Sequence, residues 1–211
     1  MFEFKLEKSE NYARAWILKT PHGNIETPIF MPVWTKATVK WIHREELEEM
    51  WAQIILANTY HLYLRPGDEL VAKMWWVHWF ANVSMPILTD SGWFQVFSLW
   101  QTSWAWYKNK ESLVKITEDG VYFRSYIDWS KHFFTPEKVM DIESNLWADI
   151  IMAFDECAPW DSTYEYAKAA MNRTHRWAER SLAQVEKNNE IRLEKWLHMQ
   201  ALFPIVQWVI Y

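Results

Sequence analysis

The chain has 211 residues, enough for one sizeable domain or the greater part of a barrel, with half of them hydrophobic and 23% charged. No apolar run approaches the roughly 20 residues that span a bilayer, and the start MFEFKLEKSE lacks the basic-then-apolar layout of a signal peptide, so no membrane partner is expected. A single cysteine, Cys157, excludes an internal disulfide and fits a reducing, cytoplasmic setting. The net charge of −5 speaks mildly against broad phosphate-backbone binding, yet leaves room for one exposed base in a pocket.

Residues 2–7 (FEFKLE) alternate apolar and polar as an antiparallel strand does, and Ala13 to Leu18 and Ile25 to Val33 read as further strands around a turn at 21–24. A small antiparallel sheet over about residues 1–33 is the prediction. A rhythm follows: a helix from Ile42 to Met50, a strand from Ala52 to Ala57, a helix from Gly67 to Met74 and a strand from Pro86 to Leu88. Residues 96–135 interrupt it and read as an insertion over the rim rather than a separate domain. Thr135-Pro136-Glu137 then opens a helix through Leu146, with Thr135 as its N-cap. Ala148 to Phe154 is a strand, about Ser162 to Asn188 a long helix, and Leu202 to Val206 a last strand. Strands alternating with helices mean βαβ units, a parallel sheet and an α/β fold class, with one domain over residues 1–211.

Each of these later strands stops at a polar side chain: Asn58, Asp90, Asp155 and Gln207. The clearest case is LTDSGWFQVFSL, Leu88 to Leu99, where an apolar lead-in delivers Asp90 to the strand's end and Gly92 permits a tight turn. A lone Asp there could simply cap the next turn. Four strand ends of the same kind favour a shared C-terminal rim that carries a site. Two carboxylates, an Asn, a Gln and the aromatic Phe94 suit a nucleobase: a carboxylate accepts two N–H bonds, an amide meets a carbonyl or ring nitrogen, and a ring stacks. A second carboxylate could serve as base or nucleophile at a glycosidic carbon; sugar hydrolysis uses the same pair, and spacing does not separate the two. No HxxxH, CxxC or glycine-rich phosphate loop occurs, and His61, His78, His132, His175 and His198 are scattered, so no metal site is predicted. Cys157 reads as a buried structural thiol.

TPIFMPVWT, AQIILANTYHLYLRPG, PILTDSGWFQVFSL, ITEDGVYFRSYIDWSKHFFTPEKVMDIE, ADIIMAFDEC and LFPIVQ occur in that order. With these blocks the chain resembles the tRNA-guanine transglycosylases (queuine tRNA-ribosyltransferases) from about residue 2 to its end. The resemblance implies a (β/α)8 TIM-type barrel, of which this is the N-terminal part only, preceded by a small antiparallel sheet. It implies exchange of an anticodon guanine for a 7-deazaguanine base, the queuosine modification, through a covalent enzyme–RNA intermediate. The implied partners are tRNA and the free base, with a homodimer when full length. On that mapping Asp90 is the acid/base residue, acting as proton acceptor. Phe94 stacks on the base, Asp155 and Gln207 bind its polar edge, Ser91, Gly92 and Trp93 line the pocket, and Asn58 supports Asp90. A non-catalytic RNA-binding partner subunit or a decayed barrel is the alternative, and a glycosidase-like barrel the second.

The chain departs from the family pattern in two ways. It stops at Tyr211, within or just after the fifth barrel strand, so the family's further base-binding loop, its nucleophilic aspartate and its zinc site of cysteines and a histidine would lie beyond. No cofactor is expected in this chain, and the fragment is expected to be inactive alone. It also holds 17 Trp and 4 Gly, where ordinary usage of about 7% would give roughly 15 Gly. Trp16, Trp34, Trp41, Trp51, Trp75, Trp93, Trp100, Trp129, Trp147 and Trp208 fall on the family's glycine positions. A codon UGA that means glycine, rendered as tryptophan, is the expected cause; Trp177, in HRWAERS, reads as a true tryptophan. Real indoles at Trp93 and Trp208 would crowd the base pocket.

Overall fold

The structure is a computed structural model that describes residues 2–35, 38–96, 98 and 114–207. Strands β1 (Glu3–Glu10), β2 (Ala13–Thr20) and β3 (Gly23–Thr27) form an antiparallel meander in the order β1-β2-β3. The alternation in FEFKLE predicts one buried face, but β1 is exposed along its whole length as the outer strand; Phe4 only stacks on Trp16, with ring centroids 4.4 Å apart. The expected strand from Ile25 to Val33 is broken after Thr27, because Pro28 and Pro32 remove two ladder donors.

Five short strands make the main sheet: β4 (Val33–Trp34), β5 (Ile55–Ala57), β6 (Ile87–Thr89), β10 (Ile150–Met152) and β11 (Ala201–Phe203), in the order β11-β10-β6-β5-β4. Every pairing in it is parallel. A parallel sheet buries both faces, and period-two alternation divides the strands here. Ile55, Ala57, Ile87 and Ile151 enter a large core with Val71, Val77, Val139, Met140, Leu146 and Trp177. Ile54, Leu88 and Ile150, joined by Leu56 and Met152, turn the other way and pack with Leu18 and Ile25 of the N-terminal meander. The first core lies under the helices α1 (Arg44–Glu49), α2 (Thr59–Leu64), α3 (Asp68–Lys73), α4 (Trp76–Ala81), α5 (Pro136–Leu146) and α6 (Tyr164–Glu194). None of the described helices is long and apolar enough to cross a membrane.

Helix starts follow their sequence signals. Thr135 Oγ1 accepts the Lys138 N–H at 3.2 Å with Pro136 following, and Thr163 accepts from Tyr166 N–H at the head of α6. Helix α6 runs past the expected end at Asn188, because its buried stripe (Ala170, Thr174, Trp177, Ser181, Val185) continues to Arg192, which bonds the Ser144 carbonyl and hydroxyl. Of the expected insertion, residues 97 and 99–113 lie outside the described residues. A second antiparallel meander follows them: β7 (Val114–Ile116), β8 (Val121–Arg124) and β9 (Lys131–Phe134).

Helix ends carry an anomaly. Among the described residues, nine other than glycine have φ between 52° and 69°: two are Asn and seven are Trp (Trp41, Trp51, Trp75, Trp76, Trp129, Trp147 and Trp196). Left-handed backbone costs an L residue with a bulky side chain about 1–2 kcal/mol, which glycine avoids. Seven such positions would consume much of the ~5–15 kcal/mol that holds a domain folded. Of the ten tryptophans expected at glycine positions, Trp41, Trp51, Trp75, Trp129 and Trp147 are therefore where glycine fits best. Trp16, Trp34 and Trp93 are not left-handed, and Trp100 and Trp208 lie outside the described residues.

Candidate active site at the strand ends

The sheet brings the rim residues together. Asn58 follows β5, Asp90 follows β6, Asp155 lies three residues past β10, and Gln207 lies beyond β11, all at the C-terminal edge of parallel strands. Asp90 is held from three sides. Its Oδ1 accepts the Thr59 and Gly92 amides, both at 3.1 Å, and its Oδ2 accepts the Asn58 side-chain amide at 2.6 Å. Asn58 also caps α2, its Oδ1 accepting the His61 N–H at 3.0 Å, so one side chain fixes both the helix and the acid. Gly92 is needed at its place: its φ is +78°, and a Cβ there would meet the Tyr60 backbone nitrogen and Cβ at 3.2 Å.

Asp155 is linked to the same cluster. The Ser91 hydroxyl donates to its Oδ1 at 3.2 Å and the Gln207 amide to its Oδ2 at 2.5 Å. Asp90 and Asp155 both line one cavity of about 650 Å³, whose wall also includes Ser91, Gly92, Trp93 and Phe94. Below them the cavity is apolar, running over Leu56, Leu88, Ile150 and Met152 on the sheet face that the meander leaves partly open. Phe94 is 65% exposed and offers its ring to this space. Trp93 does not block it. Its indole is buried edge-on against Phe154 and Trp177, so the expected crowding of the pocket by this residue is absent.

Burial pushes the Asp90 carboxyl up to about 6, against the pull of the Thr59, Gly92 and Asn58 donors, and the Asp155 charge adds to the rise. Burial likewise pushes Asp155 up to about 6, opposed by Gln207 and Ser91. Two acids raised toward neutrality in one cleft are the signature of acid–base chemistry. An apolar hollow with a few convergent polar groups is also what holds a flat, polar-edged ligand.

Other polar groups at the rim escaped sequence reasoning. Glu156 is fully buried beside Asp155, paired with the Arg173 guanidinium and accepting the Tyr166 hydroxyl at 2.8 Å. Glu143, also fully buried, accepts the Thr89 hydroxyl at 2.9 Å, and burial raises it well above the ordinary range. On an amphipathic helix it looks like any surface glutamate. Cys157, expected as a buried thiol, is exposed and lines the cavity, since the chain after β10 leaves the sheet at Asp155.

Comparison with known proteins decides the family. Residues 9–211 match the family model for queuine tRNA-ribosyltransferase. The chain belongs to this family. It is 55% identical over 203 residues to the queuine tRNA-ribosyltransferase of Thermoanaerobacter sp. (strain X514), a match that takes in 96% of this chain and 49% of the relative. The enzyme of the same name from Desulforamulus reducens is 54% identical over 207 residues (97% and 50%), and that from Fusobacterium nucleatum 50% identical over 208 residues (99% and 50%). The chain thus spans about half the length of the curated queuine tRNA-ribosyltransferases that it matches.

Proposed function

We propose that the rim binds the base of a tRNA-guanine transglycosylase reaction and that the chain forms the N-terminal part of that enzyme's (β/α)8 barrel. The observation that carries this reading is the convergence of Asp90, Asp155 and Phe94 on one cavity. The polar edge of a guanine or 7-deazaguanine lies against Asp155, whose carboxylate accepts ring and amino N–H groups, and against the Gln207 amide, while Phe94 covers its face. Ser91 keeps the Asp155 carboxylate in register, as the hydrogen bond between them allows. Three donors occupy Asp90, leaving one of its roughly four acceptor sites open to substrate.

Base exchange breaks one glycosidic C–N bond and forms another. A nucleophilic carboxylate from the segment beyond Tyr211 displaces guanine from the ribose carbon, and the departing nitrogen takes a proton from Asp90; the entering base then displaces that carboxylate and gives its ring N–H proton back to Asp90. A carboxyl near 6 is well matched to that task at neutral pH. The partners are tRNA and the free base, the complete enzyme is a homodimer, and its compartment is the cytoplasm. Incorporation of radiolabelled guanine into tRNA by the complete protein tests the reading. Asp90→Asn is expected to slow exchange by about 10²–10⁴-fold, and Asp155→Asn to weaken guanine binding about tenfold or more. Undiminished exchange by Asp90→Asn would overturn the role given to it.

A further inference from the structure

The opposite edge of the sheet holds a second cluster. Asp149 directly precedes β10, His22 lies in the β2–β3 turn, His78 lies on α4, and His198 lies three residues before β11, so all four meet at the N-terminal ends of the parallel strands. One ligand atom each from His22, Asp149 and His198 lies within 4.8 Å of the other two. We propose that these three residues form a binding site for a divalent transition ion of the zinc class. Two imidazoles and one carboxylate are a donor set for such ions, leaving a fourth position for water.

The hydrogen bonds around the cluster are those that a metal site needs. His198 Nδ1 faces the Met199 carbonyl at 3.1 Å, and its Nε2 is buried with no hydrogen-bond partner. Donation of Nδ1–H to that carbonyl leaves the Nε2 lone pair free for an ion. Asp149 Oδ2 is already held by the Ile87 amide at 2.9 Å and by His78 Nε2 at 3.2 Å, which orients Oδ1 toward His22 Nδ1 at 2.7 Å. His78 thereby supports the carboxylate without binding the ion itself, and the stack of His22 on His78, 3.6 Å between centroids, fixes the first ring. An ion bound at His22 Nδ1 takes the place of the hydrogen between it and Asp149, the neutral imidazole then carrying its proton on Nε2. The site ties the N-terminal meander to the starts of the adjacent strands β10 and β11, at the opposite edge of the sheet from Asp90.

Cobalt(II), whose visible absorption reports an imidazole-ligated site, is the probe. The complete protein, stripped with chelator, is titrated with cobalt, alongside His198→Gln, His22→Asn and, as control, the exposed His175→Ala. The first two variants are expected to bind one cobalt fewer per chain than the wild type and the control, with unchanged circular dichroism. Equal stoichiometry in all four proteins would overturn the site. His22→Asn keeps a donor toward Asp149, so loss of folding alone cannot imitate the result.

A different observation carries a second inference. Four of the helices α1 to α6 end at a left-handed tryptophan: Trp51 after α1, Trp75 after α3, Trp147 at the end of α5 and Trp196 after α6. At α1, Trp51 N–H reaches the Glu48 carbonyl and Ala52 N–H that of Leu47; at α6, Trp196 N–H reaches Leu193 and Leu197 N–H reaches Arg192. Both are Schellman terminations, whose left-handed residue is ordinarily glycine or asparagine. Helix α4 closes in the same way through Asn82. Trp41 and Trp196 are 99% and 96% exposed, so no packing offsets their strain. The geometry points to glycine at these positions in the protein that its cell makes, the codon there being one that its ribosomes read as glycine. Trp177 is the internal contrast: it is helical and fully buried, and its indole N–H donates to the Glu118 carbonyl at 2.7 Å. Peptide mass spectrometry of the protein from its native source is expected to show glycine at 51, 75, 147 and 196 and tryptophan at 177. Tryptophan at the first four would overturn the inference. Trp147 is common to both inferences: it stacks on the His198 ring at 4.4 Å between centroids and donates its indole N–H to the His198 carbonyl at 3.2 Å; glycine there would uncover that ring, although no tryptophan supplies a ligand.

Discussion

At the scale of single residues, Asn58 divides its amide between two tasks. The oxygen caps α2 and the nitrogen holds Asp90, so Asn58→Ala should cost stability by about 1 kcal/mol through the cap and also lower exchange. An Asn58→Asp variant separates the two, since it keeps a capping oxygen but sets a second carboxylate against Asp90. Thermal unfolding is expected to recover in part, whereas exchange should not; recovery of both would mean that Asn58 acts only as a cap. The strand β10 shows how little the residue type alone decides. Asp149 at one end is held well below the ordinary range: burial opposes this, but the His22, His78 and Ile87 donors prevail. Asp155 at the other end has fewer donors, and burial raises it to about 6. Sequence reading found Asp155 because it ends an apolar run, and overlooked Asp149 because it begins one; the histidines that meet it are far apart in the chain. The raised pair also sets a pH dependence. The folded protein binds these protons more tightly than the unfolded chain does, so Asp90 and Asp155 diminish stability as pH rises from about 4 to about 6. On the proposed function, guanine binding needs the Asp155 carboxylate ionised, so its affinity should fall as pH drops below about 6. Calorimetric titration on either side of that pH checks this, and Asp155→Asn should flatten the profile.

At the scale of elements, α6 is fastened where it passes the rim. Arg173 pairs with the buried Glu156, which also accepts the Tyr166 hydroxyl and whose amide donates to Thr174 Oγ1 at 3.0 Å. Removing the guanidinium leaves a buried carboxylate without its cation, so Arg173→Ala should lower unfolding free energy by about 3–5 kcal/mol, read from the urea midpoint. Arg176→Ala, one turn's fraction away but paired with the exposed Glu118, should cost no more than about 1 kcal/mol. Comparable losses in the two variants would mean that burial of Glu156 does not matter. The long helix was legible because its apolar stripe and Thr163 are unambiguous local signals. Helices α2 and α4 were not. The strand reading stops at Asn58 and assigns nothing to Thr59–Leu64, where Asn58 accepts the His61 N–H and caps a helix. Trp75 to Ala81 has tryptophan where a helix terminator and starter are needed, so composition concealed both boundaries.

At the scale of the whole molecule, the main sheet has two unequal faces. One is closed by six helices; the other is covered in part by the N-terminal meander and elsewhere forms the apolar wall of the cavity. The parallel order was legible from the strand–helix rhythm, whereas the cover of the second face was not, because Leu18 and Ile25 meet Leu88 and Ile150 only through the fold. Among the described residues, the outer edges of β4 and β11 pair with no strand, and Val33 and Phe203 on them are partly exposed. Open parallel edges beside an uncovered apolar face invite pairing with another chain. Residues 1–211 expressed alone should therefore self-associate, bind a hydrophobic dye and show no base exchange, while the complete protein should bind little dye and exchange guanine. Size-exclusion chromatography with light scattering, dye fluorescence and the exchange assay, run side by side on the two proteins, check this. A monomeric, dye-free fragment would show that the second face and the strand edges need no further cover. Turnover by that fragment would place the whole reaction within these residues and remove the need for a carboxylate beyond them.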